Sequence, residues 1–334
     1  MKSIKSNQSN IKKILLVALV LILFLIPFIN LNGYLMNILN KVIVYIIMGL
    51  GLNILVGYTG LVSLGQAGFV AIGAYTTAIL TTKLDMNFFL AMLFSILISA
   101  IVGVLLGLPT LRLKGTYLSI VTLGFGEIIR TIIIIWDSVT NGPLGIRNIP
   151  APTIFGKELT AFNGGLYILS LIVMILVIIF SHRLYKSKTG RAMRSIKVDE
   201  TSSIMMGINV TYYKVLSFVI AAVISALAGS IYSIQLGYID QNTFTFDMST
   251  MILSIVILGG MGTIRGTIVG SLVLIILPEL SRSLMDYRFV IYGLVLVIMM
   301  RFRPQGLLGW RDKKPYPLSE SNKKLLGYEN GGVS

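Results

Sequence analysis

Glu127 and Arg130 stand three residues apart in "TLGFGEIIRTIIII", a stretch with no other charge. On a helix that spacing places a carboxylate and a guanidinium on one face, within pairing reach. Ionisable groups inside a membrane segment are costly and mark function by default, yet a pair near one membrane face also serves to fix helix register. The sequence leaves both roles open. Other polar side chains in apolar surroundings fall in two glycine-rich stretches. Asn53, Ser63 and Gln66 flank or enter "GYTGLVSLGQAGFVAIGAY" (57–75), which also holds Gly68; Thr263 and Arg265 lie in "GGMGTIRGTIVG" (259–270). His182 is the single histidine, at the end of an apolar run beside Arg183, and reads as an interfacial residue. With no cysteine in the chain, disulfides, thiolate metal sites and cysteine nucleophiles are excluded, and one histidine makes no zinc or iron cluster. No G-x-x-x-x-G-K-[ST], G-x-S-x-G or H-E-x-x-H occurs. The chain therefore offers no catalytic constellation, no ATP site of its own, no metal site and no cofactor site. Glu279, after Pro278, reads as an exposed segment boundary.

The elements that must position these residues are membrane spans. Of 334 residues, 55% are hydrophobic and 12% charged, with mean hydropathy +0.86; soluble domains carry about 25% charged residues. Apolar runs long enough to cross a bilayer, about 20 residues each, lie near 13–31, 35–57, 62–82, 88–108, 116–136, 164–182, 215–237 and 286–300. The stretch 247–278 is apolar but broken by glycines and reads as two short segments. The expected fold is an all-α polytopic membrane protein with about ten spans (eight to ten), some glycine-interrupted. The run 13–31 lacks an A-x-A-like cleavage site and reads as a retained helix.

Ten crossings from a cytoplasmic N-terminus explain the net charge of +15. Lys2, Lys5, Lys12 and Lys13, Arg112 and Lys114, seven residues from Arg183 to Lys214, Arg265, and seven from Arg301 onward all fall on the cytoplasmic side of that map. Such a bias is the positive-inside pattern of membrane proteins, not a nucleic-acid footprint. It divides the chain into a cytoplasmic tail (1–12), a membrane domain (13–300) with a cytoplasmic loop at 183–214, and a second cytoplasmic tail (301–334). A full crossing at 62–82 keeps the two basic loops on one side, with a non-helical entry allowed at 57–65.

Small residues recur every fourth position at Gly262, Gly266 and Gly270, at Ala67/Ala71 and Ala74/Ala78, and at Gly103/Gly107 and Ala222/Ala226. In lipid such faces let helices approach closely. The two dense clusters also carry Asn53, Ser63, Gln66, Thr263 and Arg265, and glycine-interrupted segments in both halves of a transporter point to the translocation path. In the basic loop, "SKTGRAMRSIKVDETSSIMMGINV" (187–210) predicts one helix over about 191–206, closed at Gly207, with Ala192, Ile196, Ser203 and Met206 on one face. Such a helix either lies on the membrane surface or plugs into a cytoplasmic partner.

The stretches "GLNILVGYTGLVSLGQAGFVAIGAYTTAIL", "LRLKGTYLSIVTLGFGEIIRTI" and "GIRNIP", and the run from Thr189 to Ser271, together resemble the LivM-type permease subunits of branched-chain amino acid ABC importers. The resemblance covers roughly residues 35–310. It implies the fold of an ABC importer permease that pairs with a LivH-type permease, is driven by two cytoplasmic ABC ATPases and is supplied by an extracytoplasmic binding protein. The family's ATPase-coupling helix falls on Gly190, Arg191, Ala192, Glu200 and Gly207. The expected cargo is leucine, isoleucine and valine, moved into a bacterial cytoplasm across the cell membrane. Related permeases for urea, amides, ribose or nucleosides, and less closely an ion-coupled carrier, are the alternatives. The chain departs from the family at Asn141, where a second glycine commonly precedes Gly142; the outer loop 137–163 is expected to face the binding protein.

Overall fold

The computed structural model describes residues 32–110, 113, 115–154, 157–160 and 164–280, with isolated positions at 24, 25, 27, 290, 293, 294, 297, 301 and 306–309. The expected spans at 13–31 and 286–300 and both tails lie wholly or mostly outside these residues, as do Arg112 and Lys114. Helix α1 (Gly33–Asn53) runs into a π turn (Ile54–Tyr58), followed by α2 (Gln66–Lys83), α3 (Phe88–Thr110), α4 (Thr116–Ile135) and a short α5 (Asp137–Thr140). Next come strands β1 (Ile146–Arg147), β2 (Thr153–Ile154) and β3 (Lys157–Glu158), then α6 (Gly165–Lys186), α7 (Lys188–Val198) and α8 (Glu200–Met205). The described chain closes with α9 (Val210–Leu236), β4 (Tyr238–Ile239), α10 (Phe246–Gly259) and α11 (Ile264–Leu280).

Contacts at the helix termini sort the loops into two ends. At one, β1 pairs antiparallel with β4, Lys83 Nζ donates to the Ser138 carbonyl at 2.9 Å, and Gln235 Nε2 donates to the Asn37 carbonyl at 3.0 Å. The other gathers the π turn, α7, α8 and the turn at 260–263, where the amides of Leu307 and Leu308 bond the carbonyls of Leu258 and Gly259 at 2.8 and 3.0 Å. Between this strand end and this loop-helix end, α1, α2, α3, α4, α6, α9, α10 and α11 alternate in direction. The protein is an all-α polytopic membrane bundle of about ten spans, with glycine-interrupted segments.

Helix α9 is the hub, packed by α1, α2 and α3. Gly103 on α3 meets Ala222 and Val219 on α9, and Gly73 on α2 abuts the Ala226 backbone, so the small-residue faces face one another. Polar bonds cross the same interfaces: Ser230 on α9 accepts from Thr77 of α2 at 2.7 Å and lies 2.9 Å from Ser95 of α3. Such bonds contribute on average about 0.6 kcal/mol each between membrane helices. Among the described residues five segments are long and apolar enough to cross a membrane by composition alone, and α2 is not among them. Enclosure explains this: α2 is buried on nearly every side, so its glycines and threonines meet protein rather than lipid.

Candidate translocation surface and coupling loop

Between the π turn and α2 the backbone leaves helical form over residues 60–65, so the non-helical entry expected at 57–65 begins only after Thr59. Irregular backbone at membrane depth must find partners or line an aqueous cavity. Here hydroxyls supply them. Thr122 Oγ1 accepts from the Leu64 amide at 3.0 Å, and Ser63 Oγ accepts from the Gly65 amide at 3.3 Å. Ser119 Oγ donates to the Val62 carbonyl at 3.1 Å, and Ser249 Oγ accepts from the Ala67 amide at 2.9 Å. Gly60 and Val62 stay exposed, so this stretch and α4 together form part of the bundle surface.

On α4 the same surface continues to the ion pair. Arg130 Nη1 lies 3.4 Å from Glu127 Oε2, with the side chains 33% and 43% exposed. Arg130 Nη2 donates to Asn242 Oδ1, also at 3.4 Å, which ties α4 to the strand end. One turn away, Gly124 has nothing within 4 Å of the position a Cβ would take. Gly68 instead packs inward, its Cβ position 2.9 Å from the Phe125 ring.

Of the remaining polar residues of the two glycine-rich stretches, Asn53, Ser63 and Gln66 sit in the core, Thr263 is half-buried and Arg265 is exposed. Asn53 Oδ1 accepts from the Gly262 amide at 2.7 Å, and its Nδ2 donates to the Thr263 carbonyl at 3.3 Å. Gly57 lets the two backbones touch: a Cβ there would lie 2.5 Å from the Gly262 amide nitrogen. Gln66 Nε2 donates to Ser225 Oγ. Ser63 and Gln66 are fully buried. Gly262, Gly266 and Gly270 do not share one helical face. Gly260 and Gly262, at φ +115° and +87°, hold backbone that a right-handed helix cannot continue, and α11 starts only at Ile264. Gly266 and Gly270 do pack on α10, against Gly259 and Ile255.

The basic loop holds two helices where the sequence predicts one. Asp199 leaves helical geometry and caps α8, accepting from the Ser202 amide. That amide and the Ser202 hydroxyl hold the Asp199 carboxyl below its ordinary value of 3.8, so the cap stays ionised at physiological pH. Ser187 caps α7 by accepting from Gly190 at 3.0 Å. Gly190 is buried against the Leu184 carbonyl, whereas Arg191 is exposed and donates to the Lys186 carbonyl at 2.9 Å. Glu200 pairs with the buried Lys214 of α9 at 2.7 Å, fixing α8 to the bundle. Gly207 ends the loop at φ +78°, a left-handed position that favours glycine.

The expected face of Ala192, Ile196, Ser203 and Met206 divides. Ile196 and Ser203 are buried and Ala192 is half-buried, whereas Met206 points away at 82% exposure beside Met205 at 81% and Val198 at 88%. The break at Asp199 rotates α8 relative to α7 and so splits the face. Lys197, missed in the sequence, joins the loop to the membrane domain: its Nζ donates to the Gly57 carbonyl at 3.0 Å, and desolvation lowers its pKa. Thr122, Ser225, Ser230 and Ser249 were missed as well. Hydroxyl residues at helical spacing along otherwise apolar runs, such as Ser230 and Ser233, are a signal that could have marked Ser230.

A family model described as the permease component of branched-chain amino acid transport systems matches residues 34–300. The chain is 38% identical over 319 residues to the high-affinity branched-chain amino acid transport system permease protein LivM of Salmonella typhimurium, covering 89% of this chain and 75% of that protein. It is 24% identical over 331 residues to the probable branched-chain amino acid transport permease protein LivM of Methanocaldococcus jannaschii, covering 84% and 94%. The LivH permease of Escherichia coli K12 is 27% identical over 179 residues, covering 49% and 57%. No solved structure matches the chain. With a family match across most of its length and 38% identity to a LivM permease, this polypeptide belongs to the branched-chain amino acid transport permease family.

Proposed function

We propose that this chain is the LivM-type permease subunit of an ATP-driven importer carrying leucine, isoleucine and valine into a bacterial cytoplasm. The observation that carries the reading is the 38% identity across 89% of the chain to a permease named for that transport. Similarity to a LivH permease over about half the chain fits a second, related permease as its membrane partner. Two cytoplasmic ABC ATPases and an extracytoplasmic binding protein complete the assembly. The loop-helix end and both termini face the cytoplasm. Residues 1–12 and 301–334 are cytoplasmic tails, 13–300 the membrane domain and 183–214 its coupling loop.

Geometry supports the coupling role. Val198, Ile204, Met205 and Met206 form an uncovered apolar patch on the loop, and such a patch rimmed by polar residues marks a protein contact. An ATPase groove is the occupant. Movement of α7 would reach the membrane domain through Lys197 and Gly57, then through Asn53 to the turn at Gly262 and Thr263, rocking the bundle as a body. The non-helical stretch at 60–65 and the face of α4 would form this subunit's wall of the path, with the second permease opposite.

Uptake of labelled leucine at submicromolar concentration, by cells with and without the gene, tests this reading. Gene-dependent uptake suppressed by excess valine, and not by ribose, a nucleoside or urea, is the expected result. Absence of gene-dependent leucine uptake with all subunits assembled would overturn the assigned substrate.

A further inference from the structure

We propose that Glu127 and Arg130 are the contacts by which this subunit receives the two charged ends of an amino acid zwitterion crossing the membrane. The inference rests on the import function proposed above and adds to it a binding site. A carboxylate and a guanidinium side by side match the ammonium and carboxylate of an α-amino acid, each end with its opposite.

Three observations converge. The pair lies on the part of α4 that faces away from the core, half exposed, where contact with lipid would be costly and contact with water or protein is not. Both bonds made by Arg130 are 3.4 Å long, whereas charge-assisted bonds close to about 2.7–2.9 Å. The pair is thus loosely engaged and open to exchange. Finally, bare Gly124 one turn away leaves open space, and exposed Ile120 and Ile128 flank it, offering room and apolar contact to an aliphatic side chain. Substrate binding would replace one internal ion pair by two intermolecular ones and, on release, the internal pair would reform.

The test uses the complete transporter in cells in which gene-dependent leucine uptake has first been established; failure at that step would count against the import function, not against this site. Glu127→Gln, Arg130→Gln and the double variant are each expected to lower leucine uptake at saturating substrate by about tenfold or more, with normal membrane levels and normal co-purification of the partner subunits. If the pair only fixes helix register, the double variant has no unpaired charge and its uptake stays near the parent level. That outcome overturns the proposal.

A second measurement does not read transport. The chain has no cysteine, so Thr131→Cys and Ile128→Cys, on the exposed side of α4 beside the pair, report access to water. A charged, membrane-impermeant thiol reagent should modify both, and leucine should slow the reaction. Ile98→Cys, on the outward face of α3, should stay unmodified. Inert Thr131→Cys and Ile128→Cys, or labelling indifferent to leucine, would also overturn the site.

Discussion

A methyl group added at Gly266 would overlap the carbonyl oxygen of Gly259, a backbone atom that cannot move without shifting α10. At Gly68 the nearest obstacle is the edge of the Phe125 ring at 2.9 Å, a side chain rather than backbone, followed by the Gly126 Cα at 3.3 Å. Two glycines of equal appearance in the sequence therefore differ in what they protect. Gly266→Ala should cost about 1–3 kcal/mol of stability by overpacking, and Gly68→Ala less than about 1 kcal/mol. Thermal unfolding of the purified complex checks the order, and leucine uptake should fall in the same sequence. Equal losses would mean that the α10–α11 contact is no tighter than the packing of α2 on α4. Asn53 is the polar counterpart. With both amide atoms engaged by the 262–263 turn, it fixes backbone that has no helical partner, a role its type alone did not disclose.

Elements differ in how far their sequence reveals them. Spans stand out because every residue facing lipid must be apolar, so α1, α3, α4, α6 and α9 fall close to the expected bounds. The start of α2 at Gln66 and the turn at 260–263 were readable as glycine-rich interruptions. Their bonding was not, because it depends on hydroxyls supplied by other helices, Thr122 and Ser249 among them. In the basic loop the break at Asp199 was hidden, since helix propensity runs through it and only the side-chain cap on Ser202 splits it. The break matters for docking: it turns Met205 and Met206 outward, at 81% and 82% exposure. Met205→Glu with Met206→Glu should leave the permease in the membrane but reduce ATPase co-purification by about tenfold or more, as expected for loss of apolar anchors at an interface centre. Unchanged capture of the ATPase would place the docking face elsewhere on the loop-helix end.

At the scale of the whole molecule, the alternation of helices between two ends carries a definite prediction. Lys83 and Ser138 meet at the strand end, as do Ile146 and Ile239, whereas Ser202 belongs to the loop that holds Lys197 and the π turn. Points at the same end are joined by an even number of crossings, as α3 and α4 join Lys83 to Ser138, and points at opposite ends by an odd number, as α9 alone joins Ser202 to Ile239. The 14 residues of α10 span only about 21 Å at 1.5 Å per residue, less than the roughly 30 Å hydrocarbon core. Its crossing is completed by the turn at 260–263, whose backbone is held inside protein by Asn53 and Gly57, the condition under which irregular backbone is tolerated at that depth. Because the chain has no cysteine, the arrangement is directly testable. Asp85→Cys and Asn148→Cys should react with an impermeant thiol reagent on intact cells, and Ser202→Cys only after permeabilisation. Arg265→Cys should behave like Ser202→Cys, since α10 and α11 form a hairpin whose tip returns to the loop-helix end. Labelling of Arg265→Cys on intact cells, with Ser202→Cys still protected, would show that α10 does not cross and that its tip stays on the strand side. The buried glycine contacts of Gly57 with Gly262 and of Gly259 with Gly266 would then have no common membrane face to occupy.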